Sequence, residues 1–232
     1  MVTALIVSGG KGTRMGEELP KQFLNLRGTP IIAQTVMVFD EIPEIDEIIL
    51  VLPKDYFDYF KELNIKTKKP IHLVVAGEDR QESVFNGLRA MTFSDREDIV
   101  LIHDGVRPLV TSKIIKEGIN LSKKYDAAAC GVSPKDTLKK RETTGFSGET
   151  LPREEYVLIH TPQCFNADSI IKAHQQMHDE KRCFTDDTAI YEAAVGPVYL
   201  YESSYENIKI TTKEDLDVAE AILSRRSNEN KA

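Results

Sequence analysis

Ser8-Gly9-Gly10-Lys11-Gly12-Thr13-Arg14 follows directly on the apolar run Ala4–Val7, and Pro20-Lys21-Gln22 comes shortly after. Glycines at 9, 10 and 12 let the backbone turn tightly and approach a ligand without a Cβ in the way. Backbone N–H groups in such a turn, flanked by the cations Arg14 and Lys21, suit a polyphosphate. The spacing excludes a Walker A loop, because no Gly-Lys-Ser/Thr stands at the right offset. It also falls short of the dinucleotide fingerprint, whose third glycine is missing.

Three further segments carry candidate chemistry. His103-Asp104-Gly105-Val106-Arg107-Pro108 follows the apolar run Ile99–Ile102, so Asp104 is expected at the carboxyl end of a parallel strand, facing a ligand crevice. If the first loop holds a triphosphate, Asp104 is placed to hold Mg²⁺, a hard cation that favours carboxylate and phosphate oxygens. Arg107 is expected to pair with nearby acids. Gly77-Glu78-Asp79-Arg80-Gln81-Glu82-Ser83 leads from a strand into a helix, with Ser83 within reach of a base or ribose and Arg80 able to neutralise phosphate. Lys209 sits in the alternating run Ile208–Thr211, which is expected to be a strand with the lysine either in solvent or in the crevice. His174 and His178, four apart on an expected helix, lack the partners of a zinc site and are expected on a solvated face.

These residues need a scaffold, and the chain's rhythm supplies one. The 232 residues are 41% hydrophobic and 29% charged, enough for an ordinary core. Strands are expected near residues 3–8, 47–52, 72–76, 99–103 and 127–132, alternating with helices near 31–40, 55–63, 81–91 and 112–123. Pro30 is expected to open the first of these helices. This βαβα alternation implies an α/β fold, Rossmann-like, with a mostly parallel twisted sheet and helices on both faces. Residues 133–156 break the rhythm. They are polar, charged and glycine-containing, and are expected to form a protruding β-arm with a hairpin tip. Beyond it the chain returns to the sheet, adds helices near 167–178 and 186–194, a strand near 198–201 and a last helix over 213–224. One domain over residues 1–226 and a frayed polar tail over 227–232 are expected. The net charge of −7 argues against nonspecific nucleic-acid binding. No stretch is long and apolar enough for a membrane span. No signal peptide is expected, and Cys130, Cys164 and Cys183 show no metal spacing, so a reduced cytoplasmic protein is the simplest expectation.

The motifs converge in order along the chain: Gly9-Gly10-x-Gly12-x-Arg14-Met15, Pro20-Lys21-Gln22, Gly77-x-x-Arg80-x-x-Ser83-Val84, His103-Asp104-x-x-Arg107-Pro108, Asp136-Thr137, Thr161-Pro162-Gln163, Thr185-Asp186 and Asn207-Ile208-Lys209-Ile210-Thr211. This set closely resembles the 2-C-methyl-D-erythritol 4-phosphate cytidylyltransferase family over about residues 3–223. Two departures lean towards the sister ribitol-5-phosphate cytidylyltransferases. Val7-Ser8-Gly9-Gly10 stands where the family often has Pro-Ala-Ala-Gly, and Gly105-Val106 where it usually has alanines. Asp136-Thr137-Leu138-Lys139 and Thr185-Asp186-Asp187 look more like the methylerythritol branch.

The resemblance implies transfer of CMP from CTP to a polyol phosphate, with Mg²⁺ and release of pyrophosphate. It implies that Arg14 and Lys21 stabilise the pentavalent phosphorus and that Ser8, Gly9, Gly10 and Gly12 cradle the triphosphate. Gly77, Glu78, Arg80 and Ser83 would surround the cytosine and ribose, Gly105 would also bind the nucleotide, Asp104 would anchor Mg²⁺ or the ribose side, and Lys209 would meet the acceptor phosphate. It further implies a homodimer through the arm, with Thr137 and Arg153 reaching the partner's site. A nicotinamide-dependent redox enzyme and a noncatalytic nucleotide-binding regulator are the competing classes; the incomplete glycine fingerprint weighs against the first, and Arg14 with Lys21 against the second.

Overall fold

The computed structural model describes residues 1–10, 19–92 and 97–229. β1 (Val2–Val7) is followed by a small hairpin, β2 (Asn25–Leu26) and β3 (Thr29–Pro30), whose turn uses positive φ at Arg27 and Gly28. The alternating part then runs α1 (Ile31–Asp40), β4 (Glu47–Leu52), α2 (Phe57–Glu62), β5 (Ile71–Val75), α3 (Arg80–Arg89), β6 (Ile99–Asp104), α4 (Ser112–Tyr125) and β7 (Ala127–Val132). The arm is β8 (Leu138–Arg141) and β9 (Ser147–Leu151). The chain closes with β10 (Leu158–Asn166), α5 (Ala167–Asp179), α6 (Asp187–Ala194), β11 (Tyr199–Glu202) and α7 (Lys213–Glu229).

Among the described residues, seven strands form the main sheet in the order β11-β7-β10-β6-β1-β4-β5. Every neighbouring pair is parallel except those of β10, which runs antiparallel between β6 and β7. Strand side chains alternate between faces, and both faces are apolar. On one side Ala4 and Ile6 of β1 pack with Val36 and Phe39 of α1 and Ile115 of α4. On the other, Leu5 and Val7 pack with Val84 and Leu88 of α3 and Ile170 and Met177 of α5. The mostly parallel sheet with helices on both faces therefore stands as expected. From β1 the chain builds outward through β4 and β5, then returns to β6 on β1's other side. That reversal opens a crevice at the carboxyl ends of β1 and β6.

The arm is an antiparallel hairpin, with Leu138 opposite Leu151 and a tip in which Gly145 takes φ +88°. Three local expectations need correction. Residues 208–211 pair with no strand among the described residues: Ile210 N–H bonds the carbonyl of Val106, and Ile210 packs on Leu26, Ile31, Leu109 and Ala219. Their alternation reflects packing onto α7's small core rather than a ladder. The final helix does not end near 224 but runs to Glu229, because Arg226 is tied to Glu206 and to the carbonyl of Leu109. Residues 227–229 are thus helical, while 230–232 lie outside the described residues. Pro30 pairs in β3 and precedes α1 instead of occupying its first turn.

Candidate active site

The crevice holds a cavity of about 350 Å³. Its wall brings together ten of the candidate residues: Ser8, Gly9, Gly10, Lys21, Gly77, Glu78, Arg80, Ser83, Asp104 and Lys209. Gly105 stands just behind it, so close to Ser8 and Ile32 that a Cβ would lie 2.7 Å from Ile32 and 2.8 Å from Ser8. Gly12 and Arg14 lie outside the described residues. Thr137 and Arg153 are elsewhere. Thr137 is exposed just before β8, and Arg153 lines a separate hollow at the arm's root with Ser133, Pro134, Lys135 and Glu154.

Each wall segment has a local cause. A Cβ on Gly9 would lie 2.6 Å from the Cβ of Ala76, so only glycine allows the first loop to pack on the end of β5. Gln22 Nε2 donates to the carbonyls of Ser8 and Gly10, both at 3.0 Å, and locks that turn. Asp79 caps α3 by accepting from Glu82 N–H at 2.8 Å. Ser83 Oγ accepts from Gly77 N–H and donates to the Asp79 carbonyl, so its hydroxyl shapes the Gly77–Asp79 turn.

Asp104 is the electrostatic centre. Its carboxylate is buried and meets Lys209 Nζ at 3.1 Å, Arg107 Nε at 3.2 Å and Arg80 Nε at 3.4 Å. Burial alone would raise its pKa, but Arg80, Lys209 and Arg107 outweigh it and hold the group well below the usual carboxylate range. Arg107 also donates from Nη1 to the carbonyl of Asn207 at 2.7 Å, and Asn207 Nδ2 donates to the carbonyl of Thr161 at 2.9 Å. These bonds pin the segment that carries Lys209, whose side chain reaches Asp104 in the crevice while staying partly exposed. Arg107 does pair with a neighbouring acid, as expected. No group of three or more His, Cys, Asp or Glu able to hold a metal ion occurs among the described residues. With three cations already on Asp104, the described residues do not fit a resident Mg²⁺ site.

Sequence reasoning missed several supports. His103, wholly buried, has Nε2 at 3.1 Å from the Arg107 carbonyl, and a carbonyl only accepts, so the proton belongs on Nε2. Nδ1 then accepts from Thr161 Oγ1 at 3.0 Å, which in turn accepts from Asp104 N–H at 3.1 Å. His174 is not on a solvated face. It is buried between helices and bonded to Asp187, while His178 is exposed. A buried helical histidine and an exposed one look alike in sequence; only the adjacent acids at 186 and 187 hinted at a partner. Gln22 was flagged only by its place after Lys21.

A family model described as "IspD: 2-C-methyl-D-erythritol 4-phosphate cytidylyltransferase" matches residues 2–225. The chain belongs to this family. It is 48% identical over 224 residues to the 2-C-methyl-D-erythritol 4-phosphate cytidylyltransferase of Clostridium perfringens, covering 94% of this chain and 97% of that one. The enzyme of the same name from Clostridium acetobutylicum is 46% identical over 230 residues, covering 98% and 99%. The crystal structure of 4-diphosphocytidyl-2C-methyl-D-erythritol synthase from Anaerococcus prevotii superposes with a TM-score of 0.86 at 31% identity, covering 96% of each chain.

The His103 network has a pH consequence. Burial pushes His103 down to about 4, whereas an unfolded histidine titrates near 6.5. Between these values the unfolded chain binds the extra proton, so stability falls as pH drops through that window, on the order of 3 kcal/mol in full. Asp104's contribution is lost only at lower pH, below the ordinary carboxylate range. His103→Gln is expected to flatten the decline in urea-unfolding free energy between about pH 6.5 and pH 4.5. The partly exposed His160, also pushed down by burial to about 4, leaves a residual slope. An undiminished slope in His103→Gln would contradict the assignment.

Proposed function

We propose that this protein transfers CMP from CTP to 2-C-methyl-D-erythritol 4-phosphate and releases pyrophosphate. The observation that carries this reading is the meeting of Gly9, Gly10, Lys21, Arg80 and Lys209 around one cavity at the carboxyl end of β1 and β6, in a chain of the cytidylyltransferase family. The chain as a whole carries −7, so the gathering of Lys21, Arg80 and Lys209 at the cavity is a local focus of cations that fits a triphosphate.

A phosphate oxygen of the acceptor attacks the α-phosphorus of CTP in line. One O–P bond forms, the bond to the β-phosphate oxygen breaks, and pyrophosphate leaves with that electron pair. No covalent enzyme intermediate is needed, so catalysis rests on placement and charge stabilisation. Lys21 and Arg14 meet the charge that develops at the α-phosphate and leaving group. The Gly9-Gly10 turn, locked by Gln22, holds the phosphates, a role that Gly12 shares on this reading. Gly77, Glu78 and Ser83 shape the wall for cytosine and ribose, Asp104 orients the ribose side, and Lys209 meets the acceptor phosphate. Bound together with the nucleotide, Mg²⁺ would supply charge neutralisation for the triphosphate.

The same reading makes the working unit a homodimer. Among the described residues Arg153 and Thr137 do not line the cavity of their own chain, which supports an acceptor role in a second subunit's site. Val157, Leu158, Leu200 and Tyr205 leave an apolar surface exposed near the arm's root, as a subunit contact would. A cytoplasmic setting is supported by the buried free thiols of Cys130 and Cys164.

Pyrophosphate release should be measured with CTP, Mg²⁺ and either methylerythritol phosphate or ribitol 5-phosphate. Release with the first acceptor is expected; release with ribitol 5-phosphate alone would replace the substrate, and none with either would overturn the transferase reading. Lys21→Ala should lower kcat by at least about 10²-fold; a loss under about threefold would remove Lys21 from the reaction.

The arm has its own test. Arg153→Ala should raise the acceptor KM and leave CTP binding nearly unchanged. Mixing Arg153→Ala subunits with Lys21→Ala subunits should restore activity, because one site of each heterodimer then carries neither lesion. Confirmed subunit exchange without recovery would rule out an arm acting across the dimer.

A further inference from the structure

Behind the cavity wall, Arg80 is one end of a buried chain of polar groups that the transfer step does not itself require. Asp187, the first residue of α6, is wholly buried. Its Oδ2 lies 2.8 Å from Arg80 Nη1, an ion pair off the hydrogen-bond line, and its Oδ1 accepts from His174 Nε2 at 3.1 Å. His174, on α5, is equally buried, and its Nδ1 has no hydrogen-bond partner among the described residues. Its polar function is therefore directed at Asp187 alone.

Stability does not account for this arrangement. Burying a carboxylate and an imidazole between two helices gains little over apolar side chains of the same volume, and often less. The effect on Arg80 does account for it. Asp187 draws the guanidinium more closely, at 2.8 Å, than Asp104 does at 3.4 Å. Arg80 is thus held between two carboxylates and kept from closing fully onto Asp104, while Lys209 and Arg107 balance Asp104 from other sides. A guanidinium has five N–H donors in a rigid fork. With Nη1 on Asp187 and Nε on Asp104, Nη2 makes no bond among the described residues, although Arg80 lines the cavity.

We propose that Asp187, oriented by His174, is a positioning residue that keeps Arg80 presented to the phosphates of the nucleotide instead of collapsed onto Asp104. This rests on the reading of the cavity as a CTP site. It identifies the residues that set nucleotide affinity from outside the cavity wall. Without the Asp187 charge, Arg80 falls to Asp104 and the nucleotide must break that pair to recruit it.

The test combines initial-rate kinetics with calorimetric binding of CTP, on variants whose folding is checked by circular dichroism and melting. Asp187→Asn should raise the CTP KM and Kd about tenfold, within the range of couplings between contacting residues, and leave the acceptor KM within about twofold. His174→Leu should follow it, whereas His174→Gln, which keeps an N–H donor, should stay within about threefold of wild type. In an Arg80→Ala background, Asp187→Asn and His174→Leu should have no further effect on CTP binding. Unchanged or tighter CTP binding by folded Asp187→Asn overturns the proposal; tightening is the result if Asp187 merely subtracts charge from an anion site. Equal effects with and without Arg80 also overturn it. If Asp187→Asn does not fold, the contrast between His174→Leu and His174→Gln decides, and equal CTP affinities in that pair overturn it. Failure of the wild-type protein to bind CTP would overturn the cytidylyltransferase reading itself and this inference with it.

Discussion

One buried carboxylate, Asp104, organises the site. Charged groups taken out of water are tolerated only when paired and well placed. Asp104 meets that condition by collecting Arg80 from the start of α3, Arg107 from the turn after β6, and Lys209 from the segment before α7. Three stretches of chain that are distant in sequence are thereby forced to one point. The demand runs in both directions, because three cations at one place would repel without the carboxylate. Chain reversal at β1 puts that point at the mouth of the crevice, where the glycine turn also begins.

On the proposed reading, the hub also explains how an acidic protein builds an anion site. The cations are held by Asp104 and Asp187, and the array is balanced before any phosphate arrives. Little reorganisation is then needed when charge develops in the reaction, which is the physical content of electrostatic preorganisation. Two neutral networks keep the array in register. His103, Thr161 and Asn207 tie β6 to β10 and to the Lys209 segment, and Gln22 ties the glycine turn to the 3-10 turn Lys21–Phe23 that carries Lys21. These side chains hold the distances on which the charged groups depend.

Much of this was legible in the sequence, for definite reasons. Apolar runs near eight residues or fewer, separated by amphipathic stretches, fixed the strands and helices. Residues at strand ends, such as Asp104, and at helix starts, such as Arg80, point at a crevice by topology alone. What escaped was set by tertiary packing. Residues 208–211 alternate like a strand, yet bury Ile210 against α7 with no partner strand among the described residues. Polar residues 227–229 looked like a tail but continue a helix anchored just before them by Arg226. His174 belongs to a helix whose buried stripe includes it, and nothing local distinguishes it from exposed His178.

The central claim is that Asp104 stays ionised because three cations share it, and that these cations can be drawn to a nucleotide. A carboxyl-detected NMR titration of Asp104, with and without CTP, tests this most directly. The expected midpoint in the free protein lies well below about 4, the ordinary value for an aspartate, and moves upward when CTP engages Arg80 and Lys209. A midpoint near that ordinary value in the free protein, unchanged by CTP, would contradict the account.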